Sequence, residues 1–168
     1  MRAMNGGSTE APRLDAELAA FMQSGVSVIV ATRDASLDPE VVRAGGCRVS
    51  RDRRRVTVLV DPARAERLLA DVAANGMLAA VFSQPSTHRT IQLKGSDAAT
   101  ATAGRRDRAL LASQRSAWIE DLTRIGYSRD LAEALWGPLP QALVAVVFTP
   151  AAAYQQTPGP AAGQPLKA

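Results

Sequence analysis

The chain has 168 residues, enough for one domain with a real core; 46% of them are hydrophobic but only 4% aromatic, so that core is expected to be built from Ala, Val, Leu and Ile. One cysteine, Cys47, allows no internal disulfide, and one Cys with one His cannot assemble a typical structural zinc site. The net charge of +4 is carried mainly by arginine, yet no helix carries a basic stripe and no aromatics interleave with the charges, which favours a small anionic ligand over nucleic acid.

No apolar run of signal-peptide length opens the sequence, and no stretch approaches the roughly 20 apolar residues of a membrane span, so a soluble, cytoplasmic protein is expected. Residues 1–12 are polar and contain glycine, and are expected to be disordered. Residues 13–150 are read as one domain, with 105–136 as a helical insertion, and 151–168 as a Pro/Gly-rich tail.

From Leu14 onward, Leu14, Leu18, Phe21 and Met22 share a helical face that ends near Gly25. Residues 26–32 read as a strand, and Ser36-Leu37-Asp38-Pro39 as a turn. Short strand pieces follow at 40–43 and 47–50, flanking Gly45-Gly46, where paired glycines point to a bulge or a close backbone approach. Residues 55–60 form a strand with Val56, Val58 and Val60 on one face. Asp61 and Pro62 then signal a helix start, Leu68, Leu69, Val72 and Ala73 an apolar face, and Asn75-Gly76 a stop. Residues 77–82 are continuously apolar and are expected to be a buried strand.

The next strand alternates strictly: Ile91 and Leu93 point one way, and Thr90, Gln92 and Lys94 the other. Its polar side is a row of donors on a stiff ladder. It continues past Gly95 into 98–102 in this reading. A long helix over 105–125, a short one capped by Ser128 and reaching Trp136, and a last apolar strand within 141–149 complete the domain. The stretch 157–163 has the chemistry of neither helix nor strand. Consecutive strands joined by tight turns argue for a small antiparallel barrel of about six or seven strands with helices packed outside, mainly β with α. Its buried residues would include Val28, Val56, Val58, Val81, Ile91 and Leu93.

There is no Gly-rich phosphate loop and no Gly-x-Ser-x-Gly elbow, and His88 beside a turn reads as a surface residue. An anion site is present in outline. Arg64 and Arg67 fall near the start of the helix that follows Pro62, where cations oppose the helix dipole and an anion would reverse the sign. Arg43 and Arg48 add positive charge from the preceding strands.

The order and spacing of these pieces resemble the FMN-binding split-barrel family related to pyridoxamine 5'-phosphate oxidase. The resemblance covers about residues 14–99 and rests on Val42-Arg43, Arg55-Val56-Thr57-Val58-Leu59-Val60, the Arg-containing helix down to Asn75-Gly76, and Arg89-Thr90-Ile91-Gln92-Leu93-Lys94-Gly95. The ending Tyr154-Gln155-Gln156-Thr157-Pro158-Gly159-Pro160 also looks like that of relatives. The family implies a small antiparallel split barrel and a homodimer with FMN at the subunit interface. It implies that Arg43 and Arg48 face the flavin phosphate and ring, and that the backbone of Leu59 and Val60 lies along the isoalloxazine. Phosphate would be clamped from the segment holding Arg64 and Arg67, by one or the other. Thr90 falls where the oxidase proper has a glutamine on the flavin, with Gln92 two residues on along the same face. Lys94 or Arg43 would be the cation that favours the reduced ring. The residues that hold pyridoxal phosphate in the oxidase proper have no counterpart here; the helices of 105–136 and the tail stand in their place. The expectation is an FMN-dependent oxidoreductase of open substrate. The alternatives are a flavin, deazaflavin or haem binding or storage protein on the same barrel, and a structural dimer without cofactor.

Overall fold

A computed structural model describes residues 13–166, so the expectation of disorder over 1–12 lies outside the described residues. Asp15 starts the first helix by accepting a hydrogen bond from Leu18 N at 2.6 Å, and α1 runs Ala16–Met22. Four strands follow: β1 (Ser27–Arg33), β2 (Pro39–Ala44), β3 (Gly46–Val49) and β4 (Val56–Val60). After a 3-10 turn at Pro62–Arg64 come α2 (Glu66–Asn75), β5 (Leu78–Ser83), β6 (Thr90–Gly95) and β7 (Ala99–Thr102). The chain closes with α3 (Arg105–Arg124), α4 (Arg129–Trp136), β8 (Val144–Phe148) and β9 (Ala152–Gln155).

The strands form two antiparallel sheets, ordered β2-β1-β5-β6-β9 and β3-β4-β8-β7. The sheets face each other without closing, the arrangement of a split barrel. Val28, Val30, Phe82, Ile91 and Leu93 from one meet Val56, Val58, Val60, Val146 and Phe148 from the other in a single buried cluster. α1 and α2 add Leu18, Met22, Leu68 and Val72 to it.

Four sequence expectations are corrected. The described residues hold nine strands rather than six or seven. The additional edge strand is β9, which lies in the stretch read as tail and pairs with β6 from Ile91↔Gln155 to Lys94↔Ala152. Ala-Ala-Tyr-Gln lacks β-branched residues, so its strand conformation comes from the partner and not from propensity. Second, β6 does not run on into β7. It ends at Gly95, where an added Cβ would sit 2.9 Å from Thr149 O and 2.8 Å from the Phe148 ring, and β7 belongs to the other sheet. Third, β5 alternates instead of being buried throughout: Leu78, Ala80 and Phe82 point inward, while Val81 is half-buried on the outer face. Fourth, the helix expected over 62–75 is broken at Ala65 (φ −123, ψ 20), and on α2 Asp71 rather than Ala73 joins the buried face. Asp71 is held there by the Thr32 hydroxyl at 2.8 Å.

Candidate functional site

Gly45 and Gly46 stand where the chain leaves β2, at the edge of the five-stranded sheet, and enters β3 of the other. The close approach expected from this pair is made by α3: an added Cβ at Gly45 would overlap the Leu111 side chain, and one at Gly46 the Gln114 carboxamide. Three polar residues seven apart on α3 fix it to the barrel, since positions i and i+7 share a helix face. Asp107 Oδ1 accepts from Arg48 Nε at 2.8 Å. Gln114 Oε1 accepts from Cys47 N at 2.9 Å, and its Nε2 donates to Cys47 O at 2.7 Å and to Gln23 O at 3.2 Å. Asp121 accepts from Ser86 N and Oγ at 3.0 and 2.6 Å in the β5–β6 turn. Cys47 is fully enclosed beneath this helix, and burial pushes its thiol far above the ordinary range, so it is held as the neutral form.

Beside this corner lies a cavity of about 680 Å³, within the range of small-ligand sites. One wall is β2 with Val41 and Arg43, the floor includes Leu59 of β4, and a second side is the 3-10 turn with Asp61 and Arg64. The end of α4 and the segment after it close the remaining side, with Trp136 and Leu139 lining it. That segment is clasped by arginines. Arg43 Nη1 donates to Leu135 O at 3.2 Å, Arg115 Nε to Gly137 O at 3.3 Å, and Arg108 to Pro140 O and Gln141 O at 3.4 and 2.8 Å.

The structure distributes the sequence-derived site residues among five places. Arg43, Leu59 and Arg64 line the cavity together. Arg43 stacks on Trp118 at 5.2 Å from the ring centroid, and burial lowers its pKa from the ordinary arginine value. Arg64 reaches outward, its side chain 75% exposed, with the Asp61 carboxylate 3.9 Å away. Val60 is fully buried in the barrel core. Arg48 is held on Asp107, and Arg67 faces Asp34, Asp38 and Glu40 at 3.7 to 3.9 Å. Thr90, Gln92 and Lys94 lie on the outer face of β6, three strands from β2 and therefore about 14 Å across the sheet from Arg43. There Thr90 bonds Ser83 Oγ at 2.7 Å and Lys94 stacks on Tyr154 at 5.2 Å.

The break at Ala65 alters the anion site outlined from the sequence. Arg64 ends a 3-10 turn capped by Asp61, and only Arg67 lies in the first turn of α2, beside Glu66. The positive charge that the described residues bring to the cavity thus comes from the guanidinium groups of Arg43 and Arg64 and not from a helix end. Sequence reasoning did not find Trp136 or the segment after it. The signal was present in a chain poor in aromatics: a Trp directly before Gly137-Pro138-Leu139-Pro140. Among the described residues no group of three or more His, Cys, Asp or Glu could hold a metal ion, and no helix is long and apolar enough to cross a membrane.

No family model matches the chain, and no curated protein matches it. Solved structures do. HupZ of Group A Streptococcus is 15% identical, with 89% of this chain and 100% of that one covered and a TM-score of 0.52. An F420 reductase is 15% identical over 80% of this chain and 93% of its own, with a TM-score of 0.51. A Clostridium acetobutylicum protein related to general stress protein 26 of B. subtilis, of the pyridoxinephosphate oxidase family, is 14% identical over 84% and 87%, with a TM-score of 0.50. These structures share the fold of this chain, the split barrel that the sequence resemblance implies.

Proposed function

We propose that the chain binds a flavin-type cofactor, FMN in the first instance, in the cavity between β2, β4, the 3-10 turn and the segment after Trp136, and that it acts as an oxidoreductase. The observation that carries this reading is the meeting of two arginines with an apolar, aromatic wall in one cavity. A flat ring with a phosphate tail needs both: the wall for the ring, and Arg43 and Arg64 for the phosphate. The residues present fit such a group. Arg64 is extended into solvent, and Arg43 gives its Nη1 to the neutral Leu135 carbonyl, a weaker acceptor than a phosphate oxygen. When bound, the flavin supplies the electron-transfer chemistry; the protein orients it and sets its electrostatics.

The same reading includes a homodimer through the outer face of the five-stranded sheet. Register places Arg43, Ile29, Val81, Gln92 and Tyr154 in one row across that face, and Val41 beside them is 60% exposed. Arg43 belongs to both the row and the cavity, so a partner seated there would reach the cavity mouth. It would also bring Thr90, Gln92 and Lys94 of one protomer toward the cofactor of the other.

One observation favours a second reading, a binding or storage protein. The cavity-lining carboxylate, Asp61, already caps the backbone at Ala63 N (3.0 Å), and no His, Cys or Tyr is among the described residues that line the cavity. A deazaflavin would fit the same wall, as the fold shared with an F420 reductase suggests. Mass spectrometry of the small molecule that copurifies, followed by anaerobic addition of NADH or NADPH, tests these readings. A bound FMN that bleaches supports the oxidoreductase, and one that stays oxidised under either donor supports storage. A protein that neither retains nor takes up a flavin overturns the proposal.

A further inference from the structure

We infer that Trp136 is the ring platform of this cavity, with Arg115 as the positioning residue behind it; the inference rests on the flavin reading above. Trp136 is the one aromatic among the described residues lining the cavity. It ends α4, and its backbone is held on both sides: Leu135 O accepts from Arg43 and Gly137 O from Arg115. Arg115 also places its guanidinium carbon 5.5 Å from the Trp136 ring centroid, so one residue fixes both the ring and the peptide that follows. The indole edge also rests beside Gly45, where an added Cβ would lie in ordinary van der Waals contact, 3.6 Å from its Cη2.

A tryptophan needed only to fill the core would not require this clasp. The indole joins two apolar clusters, one around Trp118 and Ile119 and one around Leu59 and Leu111, yet it stays only partly buried, with its remaining surface in the cavity. An electron-rich indole held rigidly in a cavity that also presents two arginines suits an electron-poor, anionic, planar ligand. Stacking of that kind is sequence-tolerant in nucleic acids because it uses only the π-face, and the same physics applies to an isoalloxazine ring.

Contact with an indole quenches flavin emission by electron transfer, which gives a readout independent of turnover. FMN is titrated into the full-length wild type and into Trp136→Phe, Trp118→Phe, Arg115→Lys and Arg115→Met, and the affinity and emission of bound FMN are recorded. The expected result is dark bound FMN in the wild type and in Trp118→Phe. Trp136→Phe should bind a brightly emitting FMN about tenfold more weakly. Arg115→Met should shift both readouts in the same direction, and Arg115→Lys should restore them in part. Trp136→Phe keeps a large ring in place, and its melting curve confirms the fold. If the wild type binds FMN and Trp136→Phe holds it equally tightly and equally dark, the platform is wrong and the flavin reading stands. If Trp118→Phe is the bright variant, the platform is likewise wrong. If the wild type takes up no FMN, both fall.

Discussion

Arg48 Nε donates to Asp107 Oδ1 at 2.8 Å, joining β3 to the first turn of α3 across 59 residues of chain. Asp107 also accepts from Gly104 N at 2.9 Å, so one carboxylate both caps α3 and ties it to the barrel. Burial would raise the Asp107 pKa, but the Gly104 amide and Arg48 outweigh it and hold the group below the ordinary aspartate value. A depressed folded pKa means stability that is present above the unfolded value of about 3.9 and lost as pH falls through it toward the folded value. Urea unfolding at pH 7 is expected to show Asp107→Asn less stable by about 1–3 kcal/mol, with the difference shrinking below about pH 4. A difference independent of pH would contradict this account of the pair.

Gln114 is the central fastening of α3. Replacing it with Ala leaves both the Cys47 amide and carbonyl without their side-chain partner in a buried place. A loss of about 2–4 kcal/mol is expected by chemical denaturation, since unpaired buried groups cost about 1–3 kcal/mol each. Gly46→Ala should be similarly harmful, because its Cβ enters the space of the same carboxamide. Wild-type stability for both variants would show that α3 is not fastened here.

The outer row of the five-stranded sheet makes the dimer testable. Val81→Glu puts a charge in the middle of that row without entering the barrel core, because Val81 points outward. Sedimentation of the wild type is expected to show a dimer, with an interface above about 1,200 Å² in total, and the variant a folded monomer. A variant that remains dimeric would place the interface on another face.

Lys94 and Gln92 stand about 14 Å across the sheet from Arg43 and are not among the residues that line the cavity, so in this reading their effect on the cofactor comes through the dimer. Lys94→Met is expected to lower the reduction potential of bound flavin in the dimer, and to have no effect in the Val81→Glu background. A shift of 59 mV is a tenfold change for one electron, so spectroelectrochemical titration resolves even a weak contact. An equal shift in both backgrounds would mean that the lysine acts within its own subunit.

The sheet was largely legible because strict alternation at Thr90–Gly95 marks an inward face regardless of context, and the valine-rich run of β4, buried throughout, marks a strand. What escaped depends on partners far away in sequence. β9 is a strand because β6 lies beside it, and Val81 is half-exposed because it points to the outer face of the sheet, away from the barrel core. The arginines show the same limit: Arg48, Arg64 and Arg67 look equivalent in sequence, but Arg48 meets Asp107, Arg67 meets three carboxylates of the β1–β2 turn and its flank, and Arg64 meets the cavity. The cavity itself was only half legible, since its far side is built by Trp136 and the segment after it, brought in by the α3–α4 pair.

The most direct test of the central claim is calorimetric titration of FMN and of riboflavin into the wild type and Arg64→Ala. If the cavity holds a flavin phosphate on Arg64, the substitution weakens FMN by about 1.5–3 kcal/mol, the worth of a charge-assisted hydrogen bond, and leaves riboflavin nearly unchanged. FMN affinity that is the same in both proteins, or a wild type that does not distinguish FMN from riboflavin, would contradict it.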